Sequence, residues 1–329
     1  MHALMLPTFN GPRSLTWRQT PDPVPGPGEV LIKVRAVATN RADISHTYGR
    51  YKPPAGVSPL PGMECSGTIV ALGPDQPEDS LWTVGDECCA LLNGGGYAQL
   101  ATAPTRQLFP IPRGVDLVDA AALPEAACVA WSNLVMEGGL RPGHNVLIQG
   151  GAGGMGSFAI QLAKALGAGV VATAGKTRTV DLCYELGADV ALNYHDEDPK
   201  MTLSALGGAN VILDIQGAST LGLHLSCVAP FGRIVTIGLQ GGKTAELDYG
   251  KLMSKKAGII CTSLRARPAT GPGSKAEIVR QVTQHVWPLI ETGLISPVIE
   301  RRVPLRSAYD VLQDMEKFET MGKSVLLVE

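Results

Sequence analysis

Aromatic side chains are scarce in this 329-residue sequence, at 5% of the total, and basic residues do not outnumber acidic ones. The formal net charge is −2. With no surplus of cations interleaved with rings, nothing here resembles a nucleic-acid groove. Any cationic site must be local. No apolar run reaches the roughly 18 residues that cross a membrane. The opening MHALMLPTFNGPRS lacks a charged segment followed by an apolar one, so no secretory signal is expected. The seven cysteines (Cys65, Cys88, Cys89, Cys128, Cys183, Cys227 and Cys261) are odd in number and never spaced as CxxC. That excludes a disulfide framework and favours reduced, core-packed thiols in a cytoplasmic protein. No internal repeat is visible.

What is present is glycine, in turn-like clusters, and enough chain for two cores. The first third is rich in β-branched residues and broken by proline. EVLIKVRAVATN and CSGTIVALG read as strands, PDPVPGPGE and YKPPAGVSPLPG as loops. Near Ala120 the character changes. DAAALPEAACVAWSNLVME is helical in composition. The apolar runs NVLIQG, GVVATAG, ADVALN, NVILDIQG and RIVTIG then alternate with helical segments such as GSFAIQLAKALG and TRTVDLCYELG. Strands apolar throughout, alternating with helices, predict a doubly wound parallel sheet covered on both faces. After about Ile260 the regularity fades. Helical KAEIVRQVTQHVWPLIETG, VIERRVPL, SAYDVLQDMEKFE and the closing strand GKSVLLVE read as a return to the first β domain. The α/β unit is then an insertion: 1–121 with 266–329 form one domain, 122–265 the other.

Gly151, Gly153 and Gly156 form GxGxxG between an apolar strand and an amphipathic helix. Alone the pattern is weak; in that setting it points to a dinucleotide. The first glycine suits a tight turn, the second a close approach of pyrophosphate, the third close packing of helix on strand. With Gly154 and Met155 the loop opens the helix, whose first N–H groups suit phosphate. The next strand ends at Gly175, where an NAD site places a carboxylate for the ribose 2′-hydroxyl and an NADP site places cations. Here Lys176 and Arg178 follow, and NADPH is the expected cofactor. The alternative is a solvated first helical turn, which is disfavoured for cations unless something anionic is near. Tyr194 is placed along the adenosine phosphate. Later strand ends nominate Gln216 with Gly217, Gly238 with Leu239, and Ser263 with Leu264 for the rest of the cofactor.

The chain resembles the medium-chain dehydrogenase/reductase superfamily, and within it the zinc-free quinone oxidoreductases related to zeta-crystallin. The resemblance spans nearly all of it. It rests on GPGEVLIKVRAVATNRADISHTYGRYKPP, LPGMECSGTIVALG, VGDECCALLNGGGYAQ, GGAGGMG and GKSVLLVE. NRADI, GRYKPP and TSLRAR look like the tumour-suppressor-inducible branch. The resemblance implies a GroES-like, mostly β catalytic domain with the Rossmann domain inserted, a cleft where nicotinamide meets substrate, and a homodimer joined through the Rossmann sheets. It implies a catalytic role for Tyr51, as a ring that stacks on a flat acceptor, and for Asn40 and Asp43 on the NRAD turn near the nicotinamide. Asn40 also counts among the cofactor contacts. Tyr51 as a packing residue and Asp43 as a helix cap are the structural alternatives. Val129 stands where relatives often have a threonine beside the nicotinamide. Lys323 matches a position near the cofactor, with an ordinary surface lysine as the other reading. Trp131 reads as core, Arg265 and Arg267 as a solvated pair, and His46 as solvent-facing.

The same resemblance bears on metal. The positions of the zinc ligands in the superfamily's alcohol dehydrogenases are Asn40 and Met63, followed by Glu64. A carboxylate alone does not make a zinc site, and no cysteine-rich lobe is present, so no metal is expected. Without a Lewis acid, an acceptor that takes electrons readily is favoured: a quinone, or alternatively an α,β-unsaturated carbonyl. The reading from another class is an NADPH-holding structural or RNA-binding protein of the crystallin type.

Overall fold

The computed structural model describes residues 1–54 and 56–329. Ala55, inside the expected proline-rich loop, lies outside the described residues. The chain divides into two units: Met1–Ala126 with Arg265–Glu291 and Pro297–Glu329, and Ala127–Leu264 with Thr292–Ser296. The first boundary falls inside the helix Pro124–Trp131, a few residues later than the composition change suggests. Thr292–Ser296 leaves the tail to join the second unit, where Gln161 and Ser296 exchange two hydrogen bonds of 2.9 Å.

In the second unit the apolar runs become parallel strands. In spatial order these are Val190–Asn193, Gly169–Ala174, Asn145–Gln149, Ala209–Asp214, Val228–Thr236 and Gly258–Cys261. Leu147, Val171, Ile212 and Ile234 share one buried cluster. Each such side chain contributes about 1.5–3 kcal/mol by leaving water. The helix Gly154–Ala165 turns Phe158, Ile160 and Leu162 inward. The chain leaves the central strand in one direction and later returns on its other side, so the order reverses between Asn145–Gln149 and Ala209–Asp214. That reversal opens a crevice at the strands' carboxyl ends. The sixth strand, Gly258–Cys261, is absent from the sequence reading. It is short and its residues are half-buried or exposed, as suits an edge.

The hub of the first unit is the ten-residue strand Glu29–Ala38. It pairs antiparallel with Glu64–Leu72, Leu100–Pro104 and Lys323–Leu327. The expected return of the tail is therefore literal: the closing strand lies beside an early one. The far edge is finished by Ile299–Pro304, parallel to Lys323–Leu327. Trp287 stacks on Phe109 at 4.4 Å and donates its indole N–H to the Pro110 carbonyl at 2.8 Å. A buried ring with its polar edge satisfied keeps the helical tail on the sheet.

Candidate active site

The crevice of the second unit is built from backbone. After Asn145–Gln149 the chain turns at Gly150, with φ of 66°, a left-handed angle that glycine adopts freely. The expected turn residue, Gly151, instead packs: a side chain there would meet Cys183 Sγ at 2.7 Å. Gly153 is the N-cap, so Gly154, Met155 and Gly156 form the first helical turn and offer N–H groups without intrahelical partners. A β-carbon on Gly156 would fall onto the Gly150 carbonyl oxygen. Glycine is what lets this helix begin so close to the strand.

The neighbouring strand Gly169–Ala174 ends at Gly175, and the helix Thr177–Glu185 begins at Lys176 as its N-cap. Thr179 closes that turn: its hydroxyl accepts from the Lys176 N–H at 3.1 Å and donates to the Lys176 carbonyl at 2.7 Å. Lys176 and Arg178 are exposed. Tyr194, just past Val190–Asn193, is exposed too, and its hydroxyl lies against Gly175. Gly175, Lys176, Arg178 and Tyr194 thus gather at the ends of two adjacent strands.

One residue of this crevice was missed from the sequence. Asp214 is 2% exposed. Its carboxylate accepts the N–H groups of Gln216 and Gly217 at 2.8 and 2.9 Å and the Thr236 hydroxyl at 2.8 Å. It ties two strand ends together and fixes the Gln216 turn. Gly238 lies so close that a side chain would meet the Ile215 carbonyl oxygen at 2.6 Å, and Leu239 beyond it is exposed. A strand-terminal aspartate before a Gln-Gly turn was the available signal. His224, fully buried, lies 3.9 Å from Asp214. Burial lowers its pKa and keeps the ring neutral. Farther along, Val129 is half-buried, and its carbonyl accepts from Asn133 Nδ2 at 2.8 Å where the helix widens into the π-helical turn Ser132–Glu137. Asn133 Oδ1 accepts from the Thr262 hydroxyl at 2.5 Å, anchoring the segment that carries half-buried Ser263 and buried Leu264. Trp131 is buried, as its core reading requires.

The first unit holds a different kind of site, made of buried side chains. Asn40 caps the helix Arg41–Thr47, and its N–H donates to Asp43 Oδ2 at 2.8 Å. Asp43 also accepts from the Gly62 N–H at 3.2 Å and the Tyr97 hydroxyl at 3.1 Å. It is a helix cap, and it is fully buried. Burial pushes its carboxyl up to about 6 against those three hydrogen bonds and the Arg265 charge. Asn40 Nδ2 donates to Glu64 Oε1 at 2.7 Å. The Lys323 ammonium bonds the same oxygen, and the Glu125 N–H reaches Glu64 Oε2 at 2.9 Å. Lys323 is 4% exposed, so the surface reading of this lysine fails: its ammonium is held by Glu64. Two further expectations are corrected. Arg265 is buried; it donates to the Tyr51 carbonyl at 2.6 Å and sits over the Tyr51 ring at 4.7 Å. His46 is also buried, with Nδ1 3.5 Å from the Arg265 guanidinium. Burial, then that cation, push its imidazole down to about 4. Arg267, half-buried, bonds the Gly273 carbonyl at 2.9 Å. TSLRAR reads as polar locally; the cavity that receives Arg265 is made by residues some 200 positions away, which no local pattern reveals.

Residues 26–113 match the alcohol dehydrogenase GroES-like domain, and residues 154–278 match the zinc-binding dehydrogenase family. A quinone oxidoreductase of Pseudomonas aeruginosa is 30% identical over 97% of this chain and 97% of its own. The chain belongs to the medium-chain dehydrogenase/reductase superfamily, among its quinone oxidoreductases. The synaptic vesicle membrane protein VAT-1 homolog of Rattus norvegicus is 28% identical over all of this chain and 84% of its own length. A mycobacterial protein solved as a complex with NADPH superposes with a TM-score of 0.87, at 28% identity and 99% coverage of both chains. The superfamily's zinc positions are instructive here. Met63 is buried apolar, and Glu64 is already bonded to an ammonium, an amide and a main-chain N–H. Among the described residues no group of three or more His, Cys, Asp or Glu side chains is placed to hold a metal ion.

Proposed function

We propose that this oxidoreductase is an NADPH-dependent, zinc-independent quinone reductase. One observation carries the cofactor choice: the strand end that would hold a carboxylate for NAD holds Gly175, Lys176 and Arg178. The relative named as a quinone oxidoreductase and the structural neighbour solved with NADPH support the reading. The N–H groups of Gly154, Met155 and Gly156 bind pyrophosphate, with Gly151 and Gly153 shaping the loop. Lys176 and Arg178 bind the 2′-phosphate beside Tyr194. Gln216, Gly238, Leu239, Ser263 and Leu264 line the remaining cofactor path, with Val129 and Asn40 toward the nicotinamide. Lys323 acts through Glu64. NADPH supplies the reducing hydride. The chain's part is to orient the acceptor and keep water from the reacting atoms, with the Tyr51 ring, backed by Arg265, as the flat platform.

The protein works as a cytoplasmic homodimer in this reading. None of the seven cysteines forms a disulfide, and the half-exposed edge strand Gly258–Cys261 with the exposed Tyr249 and Met253 offers a surface for pairing.

Affinity for NADPH against NADH tests the core of the proposal. Two charge-assisted hydrogen bonds contribute roughly 1.5–3 kcal/mol each. NADPH should bind about 100-fold or more tighter than NADH, and Lys176→Ala/Arg178→Ala should abolish that preference. Equal affinities in the wild type would reject the 2′-phosphate assignment. Turnover of a quinone against an enone then separates the two acceptor classes.

A further inference from the structure

The backbone does not demand a glycine at Gly175. Its φ lies outside the left-handed region, so an ordinary residue could adopt the same main-chain shape. What bars a side chain is Tyr194. A β-carbon on Gly175 would lie 2.3 Å from the Tyr194 hydroxyl, 2.7 Å from Cζ and 3.1 Å from Cε1, and these are the three closest contacts it would make.

The sheet sets up this contact. Val190–Asn193 runs parallel to Gly169–Ala174, with Asn193 beside Ala174. The Tyr194 N–H donates to the Ala174 carbonyl at 3.0 Å, which brings the tyrosine level with the next residue, Gly175. Asn193 fixes the turn that follows. Its N–H donates to Glu197 Oε2 at 2.9 Å, and its side-chain amide donates to Asp196 Oδ2 at 2.6 Å. The His195 ring packs 4.5 Å from the Tyr194 ring. Half of Tyr194 is in water, so the ring can be replaced without opening the core.

Gly175 also stands where an NAD site carries its carboxylate. A carboxylate accepts from the ribose 2′-hydroxyl and repels a 2′-phosphate. We propose that Tyr194 determines cofactor choice by exclusion: its ring fills the space that an acidic side chain at position 175 needs. This rests on the NADPH reading above and adds its other half. Lys176 and Arg178 attract the phosphate, and Tyr194 keeps out the group that would recognise the hydroxyl. Discrimination between two ligands is sharpest when attraction to one is joined to rejection of the other.

A double-mutant cycle reads the exclusion, with affinities from calorimetric titration of NADH. Gly175→Asp alone should change NADH affinity by no more than about 2-fold, the margin of independent sites. In a Tyr194→Ala background the same change should raise NADH affinity about 10-fold or more, as one hydrogen bond to a charged group does. Tyr194→Phe keeps the ring carbons that clash, so Gly175→Asp should again give no gain there. Equal gains in all three backgrounds, or no gain in any, would overturn the proposal. Thermal unfolding without cofactor keeps the test independent of function. Gly175→Ala should lower the Tm when Tyr194 or its Phe variant is present and leave it unchanged in Tyr194→Ala; equal losses in all three would also overturn the proposal. Should the wild type bind NADPH and NADH equally, the NADPH reading falls, and the unfolding cycle still reports whether Tyr194 excludes a side chain.

Discussion

The two candidate regions of this molecule are built on opposite plans. The crevice of the second unit is made of main-chain N–H groups, glycines and two exposed cations, all contributed by residues 150–178 with a few later turns. The cluster of the first unit is made of buried side chains, and the Lys323–Glu64 pair spans 259 positions. A backbone site costs little folding energy, because its N–H groups are orphans of a helix that forms anyway. A buried ionic cluster is held together only if every member is present. The first plan suits binding a cofactor common to many enzymes. The second suits a setting that must hold protons and exclude water.

The sharpest way to break this contrast is Lys323→Met. It leaves Glu64 as a buried carboxylate without its cation, and unfolding by denaturant should show a loss of about 3–5 kcal/mol. A loss below about 1 kcal/mol would mean the cluster is no more structural than a surface pair. Gly156→Ala comes next. Its β-carbon meets backbone at Gly150, so the strand–helix turn must shift, at about 1–3 kcal/mol. NADPH affinity should fall with it, and unchanged affinity would detach the loop from the cofactor. The smallest effect belongs to Arg302→Ala. Arg302 grips Asp119 by two hydrogen bonds, one of 2.7 Å, but the arginine is half in water and the change should stay within about 0–1 kcal/mol.

The same contrast governs what could be read in advance. The alternating apolar strands, the glycine loop and the cations after Gly175 are local in sequence, and periodicity and spacing reveal them. The return of GKSVLLVE to the first β domain was legible from the loss of alternation after Ile260. The cluster was legible only in pieces. Asn40 and Asp43 came from a family resemblance, but nothing near Glu125 marks its main-chain N–H as a partner of Glu64. Arg265 and His46 looked like polar residues for solvent, because the pocket that buries them is assembled from distant segments. The edge strand Gly258–Cys261 escaped because half-exposed strands carry a weak apolar signal.

The placement of Lys323–Leu327 beside Glu29–Ala38 has a consequence for how the protein is made. On the ribosome the parallel sheet is finished by Cys261 and can collapse around its own core. The early β strands have by then emerged without the last strand that completes their sheet; Thr39 finds its Ser324 partner 285 positions later. Pairings of that separation close slowly. Until Lys323–Leu327 has emerged, the nascent chain therefore carries a folded nucleotide-binding unit together with an open β edge, the kind of surface that chaperones shield.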